Sequence, residues 1–266
     1  DAQVLLDEKL SACKGVLSFE DVNFHYPGAD GDALEHISFT AEPGKTTAII
    51  GSTGCGKSTL INLIPRFYDV SAGRITLDGI DIRKISQHKL RDLIGLVPQK
   101  GILFSGTIAS NIKLAGEDRI SDGMMRDAAQ VAQAEEFITA KTEGYDSPVA
   151  QGGTNVSGGQ KQRLAIARAI AKDPRIYLFD DSFSALDYKT DAQLRRALNR
   201  KAASATVLIV AQRISTILHA DQILVLDEGK IVGKGTHAQL LESCPQYQEI
   251  ARSQLSESEL KGGIAG

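Results

Sequence analysis

Two short stretches carry residue types suited to one chemistry. The first, GSTGCGKST at residues 51–59, fits the pattern G-x-x-x-x-G-K-[ST]. Its glycines, Gly51, Gly54 and Gly56, let backbone N–H groups close around phosphate oxygens. Lys57 is placed to reach the β- and γ-oxygens and Ser58 to offer its hydroxyl to Mg²⁺, with Ser52, Thr53, Cys55 and Thr59 completing the cradle. The second stretch, YLFDD at residues 177–181, is an apolar run ending in an acid. Such a run delivers a carboxylate, here Asp180, to a magnesium ion beside the phosphates. Alone that pattern is weak; downstream of a complete phosphate loop it becomes specific. The pair implies a site for a nucleoside triphosphate. Cys55 also poses a choice: a reactive thiol whose alkylation blocks the nucleotide, or a buried and inert one.

Strands and helices must position these residues. TTAII (46–50) reads as a buried strand leading into the glycine loop, with a helix from about Lys57. Upstream, VLSFEDVNFHY (16–26) alternates apolar and polar residues, PGADGD supplies a turn, and HISFTA (36–41) resumes the alternation. GRITLDGIDI (73–82) returns to strand character. From about Asp118 to Thr142 the pattern is helical, with Met125, Ala128, Ala129, Ala132, Phe137 and Ile138 on one apolar face. The loop QGGTNVSGGQ opens a second helix, KQRLAIARAIAK, stopped at Asp173-Pro174. RIYLFD, KTDAQLRRALNRKA, TVLIVA, STILHA and QILVLD then alternate strand and helix. The expected fold is α/β: a P-loop NTPase core with a mainly parallel sheet, an N-terminal antiparallel β subdomain and an inserted α-helical subdomain.

VSGGQKQR (156–163) sets Ser157, Gly158 and Gly159 ahead of a helix N-terminus, a second anion-binding geometry in one chain. One nucleotide does not need two such sites from the same molecule, so this loop reads as serving the nucleotide of another copy or partner. At this point the chain resembles the nucleotide-binding domain of ABC transporters, over roughly residues 15 to 250. The likeness rests on the phosphate loop, VPQ at Gln99, the signature VSGGQ, YLFDD, the SALD loop ending in Asp187 and VAQRIS, in that order. It implies ATP and Mg²⁺ as ligands and a head-to-tail pair of domains, each ATP lying between one phosphate loop and the opposite Ser157, Gly158, Gly159 and Gln160. It also implies Ser58, Gln99 and Asp180 around the metal, and Asp181, Gln212 and Gln99 around the attacking water and γ-phosphate. The closest likeness is to exporters: FHYPG puts Tyr26 where exporters stack an aromatic on adenine, and LFSGTIASNI (103–112) fits the segment that touches the membrane domain. A strand-end aromatic covering the sheet edge is the alternative for Tyr26.

The departures from the family pattern cluster. Asp181 stands where exporters usually have Glu, and Gln212 where they have His. The shorter acid draws its carboxylate back by ~1 Å, and an amide cannot carry an imidazolium's charge. Both weaken one step, as in the degenerate half of a heterodimeric exporter whose intact signature completes its partner's site. Val156 replaces the more usual Leu, and Gln151 stands where many exporters have Glu, which puts an ion-pair role there in doubt. A slow homodimeric exporter domain, a soluble ABC-type ATPase acting on DNA and an importer's separate ATPase subunit are the alternatives. The span between Gln99 and Ser157 is short and free of cysteine, unlike the coiled-coil or zinc insertions of the DNA-acting class.

The remaining sequence sets bounds. The chain has 266 residues, 42% hydrophobic and 24% charged, with net charge −3, which argues against a dedicated nucleic-acid surface. Cys13, Cys55 and Cys244 lie far apart without metal spacing, as do His25, His36, His88, His219 and His237, and a reducing compartment fits best. Arg195, Arg196, Arg200 and Lys201 read as a solvated helix face. No apolar run is long enough to span a membrane, no signal peptide is evident, and the only methionines are Met124 and Met125. The expected organisation is a linker at 1–14 from a missing membrane domain, an ATPase domain at 15–254 with a helical subdomain at about 100–168, and a flexible tail at 255–266. The expected place is the cytoplasmic face of a membrane, with a membrane domain and a second ABC ATPase domain as partners and no nucleic acid.

Overall fold

The computed structural model describes residues 8–116 and 118–256, so half of the expected linker and nearly all of the expected tail lie outside the described residues. The chain divides into two compact units, residues 1–91 with 205–266, and residues 92–204. Strands are numbered β1 to β12 in chain order.

In the first unit, β1 (Leu17–Phe24), β2 (Leu34–Ala41), β4 (Ala72–Leu77) and β5 (Ile80–Asp81) form an antiparallel sheet in the order β2-β1-β4-β5. The alternation in sequence becomes an alternation in burial: Leu17, Phe19, Val22 and Phe24 point inward, and Phe19 stacks on Phe39 with centroids 4.6 Å apart. GRITLDGIDI is a hairpin rather than one strand, turning at Asp78 and Gly79, whose φ values are 49° and 78°. The Asp78 carboxylate accepts the backbone N–H of Lys14 at 2.7 Å and of Val16 at 2.8 Å.

The same unit holds a second layer. β3 (Thr46–Gly51) lies between β10 (Thr206–Val210) and β11 (Gln222–Asp227), parallel to both, and β12 (Lys230–Gly235) pairs antiparallel outside β11. β3, β10 and β11 are buried nearly end to end, as their continuous apolar runs require. β12 and the two helices after it, His237–Ser243 and Pro245–Gln254, were not anticipated. KIVGKG exposes alternate residues, and its lysines and glycines mark a solvated edge.

In the second unit β6 (Ile94–Val97) pairs parallel with β9 (Ile176–Asp180), and β7 (Gly106–Thr107) makes a short ladder with β8 (Pro148–Val149). The helix expected over 118–142 is two helices, Asp122–Val131 and Glu135–Thr139. Gln133, at φ 58°, breaks them apart, and its carbonyl accepts from Arg163 at 2.7 Å. Met125, Ala128, Ala129, Ala132 and Ile138 are buried all the same, while Phe137 is half-buried under the Arg163 guanidinium, 4.7 Å from its ring centroid. The helix Gly158–Ala171 starts earlier than KQRLAIARAIAK suggested, because the glycines of the signature form its first turn. On the helix Tyr188–Lys201, Arg196, Arg200 and Lys201 are exposed, whereas Arg195 is half-buried against Asp191 at 2.8 Å.

Candidate nucleotide site

The first unit carries the phosphate loop. β3 ends at Gly51, the chain turns, and a helix runs over Lys57–Leu63. At Gly51 a Cβ would stand 2.0 Å from the Leu226 carbonyl oxygen, so only glycine lets β3 turn this close to β11. Gly56 caps the helix at φ 103°, and a Cβ there would meet the Ala33 oxygen at 2.9 Å. Lys57 is buried although charged: its Nζ donates to the Gly51 carbonyl at 2.8 Å and to the Ser52 carbonyl at 2.6 Å, and lies 3.6 Å from Cys55 Sγ. The ammonium is held over the loop by the loop's own carbonyls, where a phosphate oxygen could replace them. The fit to a polyphosphate is close. Cys55 is buried, which favours the inert thiol.

Two further groups of this unit lie around the loop. The Tyr26 hydroxyl is 2.9 Å from Thr59 Oγ1, and its half-buried ring stands edge-on to Phe24 and Tyr68, with centroids 4.9 and 5.2 Å away. The aromatic is therefore anchored beside the loop helix. β10 runs parallel to β3, and the Ala211 N–H donates to the Ile49 carbonyl at 3.1 Å. Gln212, the next residue, thus follows the same strand ends as the phosphate loop, and it is exposed.

The second unit gathers the other set. Because β6 and β9 are parallel neighbours, Gln99 and the two aspartates leave the same end of the pair, and Gln99 Nε2 donates to Asp181 Oδ2 at 3.3 Å. Asp180 ends β9. Asp181 is buried with φ 47°, a left-handed backbone that a short Asp tolerates better than Glu. Ser182, fully buried, ties the turn to β6 by donating to the Val97 carbonyl at 2.8 Å. Within this unit Gln99 and Asp180 present amide and carboxylate oxygens, hard donors of the kind Mg²⁺ takes.

The signature segment is a self-contained helix start. Ser157 Oγ accepts the Gln160 N–H and Gln160 Oε1 accepts the Ser157 N–H, both at 3.3 Å, a long and easily exchanged capping box. Ser157 and Gly158 are exposed. Asp187 caps the next helix, taking the Thr190 N–H at 3.0 Å and its hydroxyl at 2.7 Å, and these bonds hold its carboxyl below the usual range. Val156 is buried under the signature, and Gln151 is exposed.

Three residues escaped the sequence reading. Gln162, only 2% exposed, donates to the Pro98 carbonyl at 3.1 Å and accepts the Gly101 N–H at 2.8 Å, latching the Gln99 loop to the signature helix. It shares a helix face with Ala165, Ile166 and Ala169, so a polar residue at an apolar position was its available signal. Asn111, also buried, pairs both with the Phe104 N–H and with the Phe104 carbonyl, each at 2.8 Å. Arg168 reaches the Asn111 carbonyl at 2.8 Å and the Ile102 carbonyl at 2.9 Å, and burial pushes its guanidinium down to about 10. These contacts brace a segment whose Ile102, Phe104 and Leu114 side chains are exposed.

Strand, glycine loop and helix, with parallel strands on both sides, define a phosphate-loop nucleotide-binding fold. The family model described as ABC transporter matches residues 34–184, and the chain belongs to that family as one of its ATP-binding ATPase domains. It is 52% identical over 252 residues to an uncharacterized ABC transporter ATP-binding protein of Mycobacterium tuberculosis, covering 94% of this chain and 43% of that protein. An ATP-dependent lipid A-core flippase of Saccharophagus degradans is 45% identical over 249 residues, 94% of this chain and 42% of the flippase. The solved structure of a bacterial Atm1-family ABC exporter with ATP bound superposes with a TM-score of 0.87 at 39% identity, covering 92% of this chain and 42% of that one. The chain spans less than half the length of these relatives. Among the described residues no helix is long and apolar enough to cross a membrane.

Proposed function

We propose that this domain drives an exporter: it binds Mg·ATP, pairs head to tail with a second ABC ATPase domain at the cytoplasmic face of a membrane, and hydrolyses slowly at its own site. The observation that carries the reading is the contrast between an intact, exposed signature start at Ser157–Gly158 and a weakened acid at Asp181, already engaged by Gln99. The partner is proposed to be a second, different subunit that supplies the competent acid and switch histidine. Tyr26 stacks on adenine, and the phosphate loop from Gly51 to Thr59 wraps the phosphates with Lys57 as its cation. Magnesium supplies charge neutralisation when bound; Ser58, Gln99 and Asp180 are proposed to hold it. Asp181 and Gln212 orient the water and the γ-phosphate, Gln212 by hydrogen bonding without a permanent charge. The exposed Ile102, Phe104 and Leu114, braced from below by Asn111 and Arg168, suit docking to a membrane domain.

The test is steady-state phosphate release at saturating Mg·ATP by the wild type, Asp181→Glu, Gln212→His and the double variant. The expected wild-type rate is slow. The double variant gains about 10²-fold, more than either single change, since both act on one transition state. Wild-type turnover of several per second sinks the impaired-site reading.

A further inference from the structure

We infer that Gln254, on the C-terminal helix, is a positioning residue for the switch segment that carries Gln212. Its side-chain amide makes two bonds to that segment: Nε2 donates to the Gln212 carbonyl at 2.8 Å, and Oε1 accepts the Ile214 N–H at 2.8 Å. The segment needs such support. After Ala211 leaves β10, the chain runs into a helix of one turn, Ile214–Ile217, whose cap residue Arg213 makes no side-chain capping bond. A helix this short does not hold itself together, and its first N–H, that of Ile214, has no acceptor a turn earlier within the helix. Gln254 supplies the missing acceptor from elsewhere in the chain and grips the carbonyl two residues earlier with the same amide.

The residue is presented from a fixed base. The helix Pro245–Gln254 starts with Pro at its first turn, buries Tyr247 and Ala251 completely, and is pinned where the Tyr247 hydroxyl meets His237 Nδ1 at 2.8 Å. Gln254 holds Gln212 by the backbone and leaves its exposed side chain free. An amide oriented in this way fixes where the side chain starts without competing for what it binds. The inference rests on the proposed role of Gln212 toward the γ-phosphate, and the test separates the two.

The first readout is amide hydrogen exchange over residues 211–216 of the full chain without nucleotide. Gln254→Met, which keeps the volume and removes both bonds, speeds exchange at Ile214 about tenfold, while exchange along Pro245–Ala251 and the melting midpoint stay at wild type. Gln254→Glu keeps the acceptor but sets a carboxylate oxygen against the Gln212 carbonyl, so it loosens residue 212 while Ile214 remains protected. The second readout is turnover in the Asp181→Glu, Gln212→His background, where Gln254→Met lowers kcat about tenfold and leaves KM for ATP unchanged. Unaltered exchange at 211–216 in Gln254→Met overturns the inference. So does faster exchange through the whole C-terminal helix with a lowered melting midpoint, which marks a merely structural residue. Faster exchange at Ile214 with no response of turnover to any change at residue 212 supports the clamp and removes the switch role instead.

Discussion

The two glycine-rich loops of this chain look alike in sequence and differ in what demands the glycines. In the phosphate loop the demand is internal: a Cβ on Gly51 would strike the Leu226 carbonyl at 2.0 Å, and Gly56 sits at φ 103° against Ala33. In the signature a Cβ on Gly158 would meet nothing within 4 Å, and one on Gly159 would make ordinary contact with the Ala185 oxygen at 3.6 Å. Among the described residues nothing requires glycine there. A small residue that its own fold does not need is explained by something that approaches from outside, which supports the proposed second domain. The same contrast runs through the polar bonds: the phosphate loop encloses a buried ammonium, whereas the signature closes on itself with two long bonds.

The sharpest way to break this comparison is to add the same methyl group to each loop. Gly51→Ala is expected to cost about 3 kcal/mol or more, because backbone cannot step aside, lowering the melting midpoint by roughly 6 °C and abolishing ATP binding. Gly158→Ala is expected to leave stability within about 1 kcal/mol of wild type and ATP binding by the lone chain unchanged, while preventing nucleotide-dependent pairing. Calorimetry, an ATP titration and sedimentation decide, and equal destabilisation by both would erase the contrast. A smaller effect is expected at the latch behind the signature. Gln162→Leu leaves the Pro98 carbonyl and the Gly101 N–H without their partner and costs about 1–3 kcal/mol in urea unfolding. A change below a few tenths of a kcal/mol would mean that the latch does not hold. The smallest effect separates the units by charge, since the Gln162 latch is neutral and the Asp78 tether of the first unit is ionic. Burial alone would raise the Asp78 carboxyl, but bonds from Cys13 and from the Val16, Lys14 and Gly15 N–H groups hold it below its ordinary value. Its stabilisation is therefore present above the unfolded-state value near 4 and is lost as pH falls through the lower folded-state value. Urea midpoints at pH 7 and pH 2.5 should show wild type losing more stability than Asp78→Asn; parallel losses would discard the tether.

Much of this is legible in the sequence, for reasons that differ by residue. β3, β9, β10 and β11 announce themselves as apolar runs because they are buried on both faces, and the phosphate loop is legible because its backbone geometry restricts residue type at fixed spacing. The break at Gln133 was not, since both helices bury residues at the same period and a left-handed glutamine leaves no mark in that pattern. β12 was hidden by its lysines and glycines, the ordinary dress of an edge. At the site, Asp181 and Gln212 stood out as departures, but the left-handed backbone under Asp181 and the grip of Gln254 on Gln212 depend on neighbours remote in sequence. Gln162 was the one missed residue with a visible signal, a polar side chain on an otherwise apolar helix face.

The Gln162 latch has a thermodynamic consequence. The Gln99 loop and the signature helix are joined by two partly buried hydrogen bonds to a single amide, so displacement of one is felt by the other. If the latch holds while Gln99 moves, a ligand that favours one placement of Gln99 changes the affinity of the signature for whatever it meets, and by linkage the signature's partner changes the affinity at Gln99 by the same factor. With the amide worth one to two ordinary hydrogen bonds, that factor is roughly five- to thirtyfold. The influence runs equally in both directions, so a latch of this kind works as a balance arm rather than a trigger.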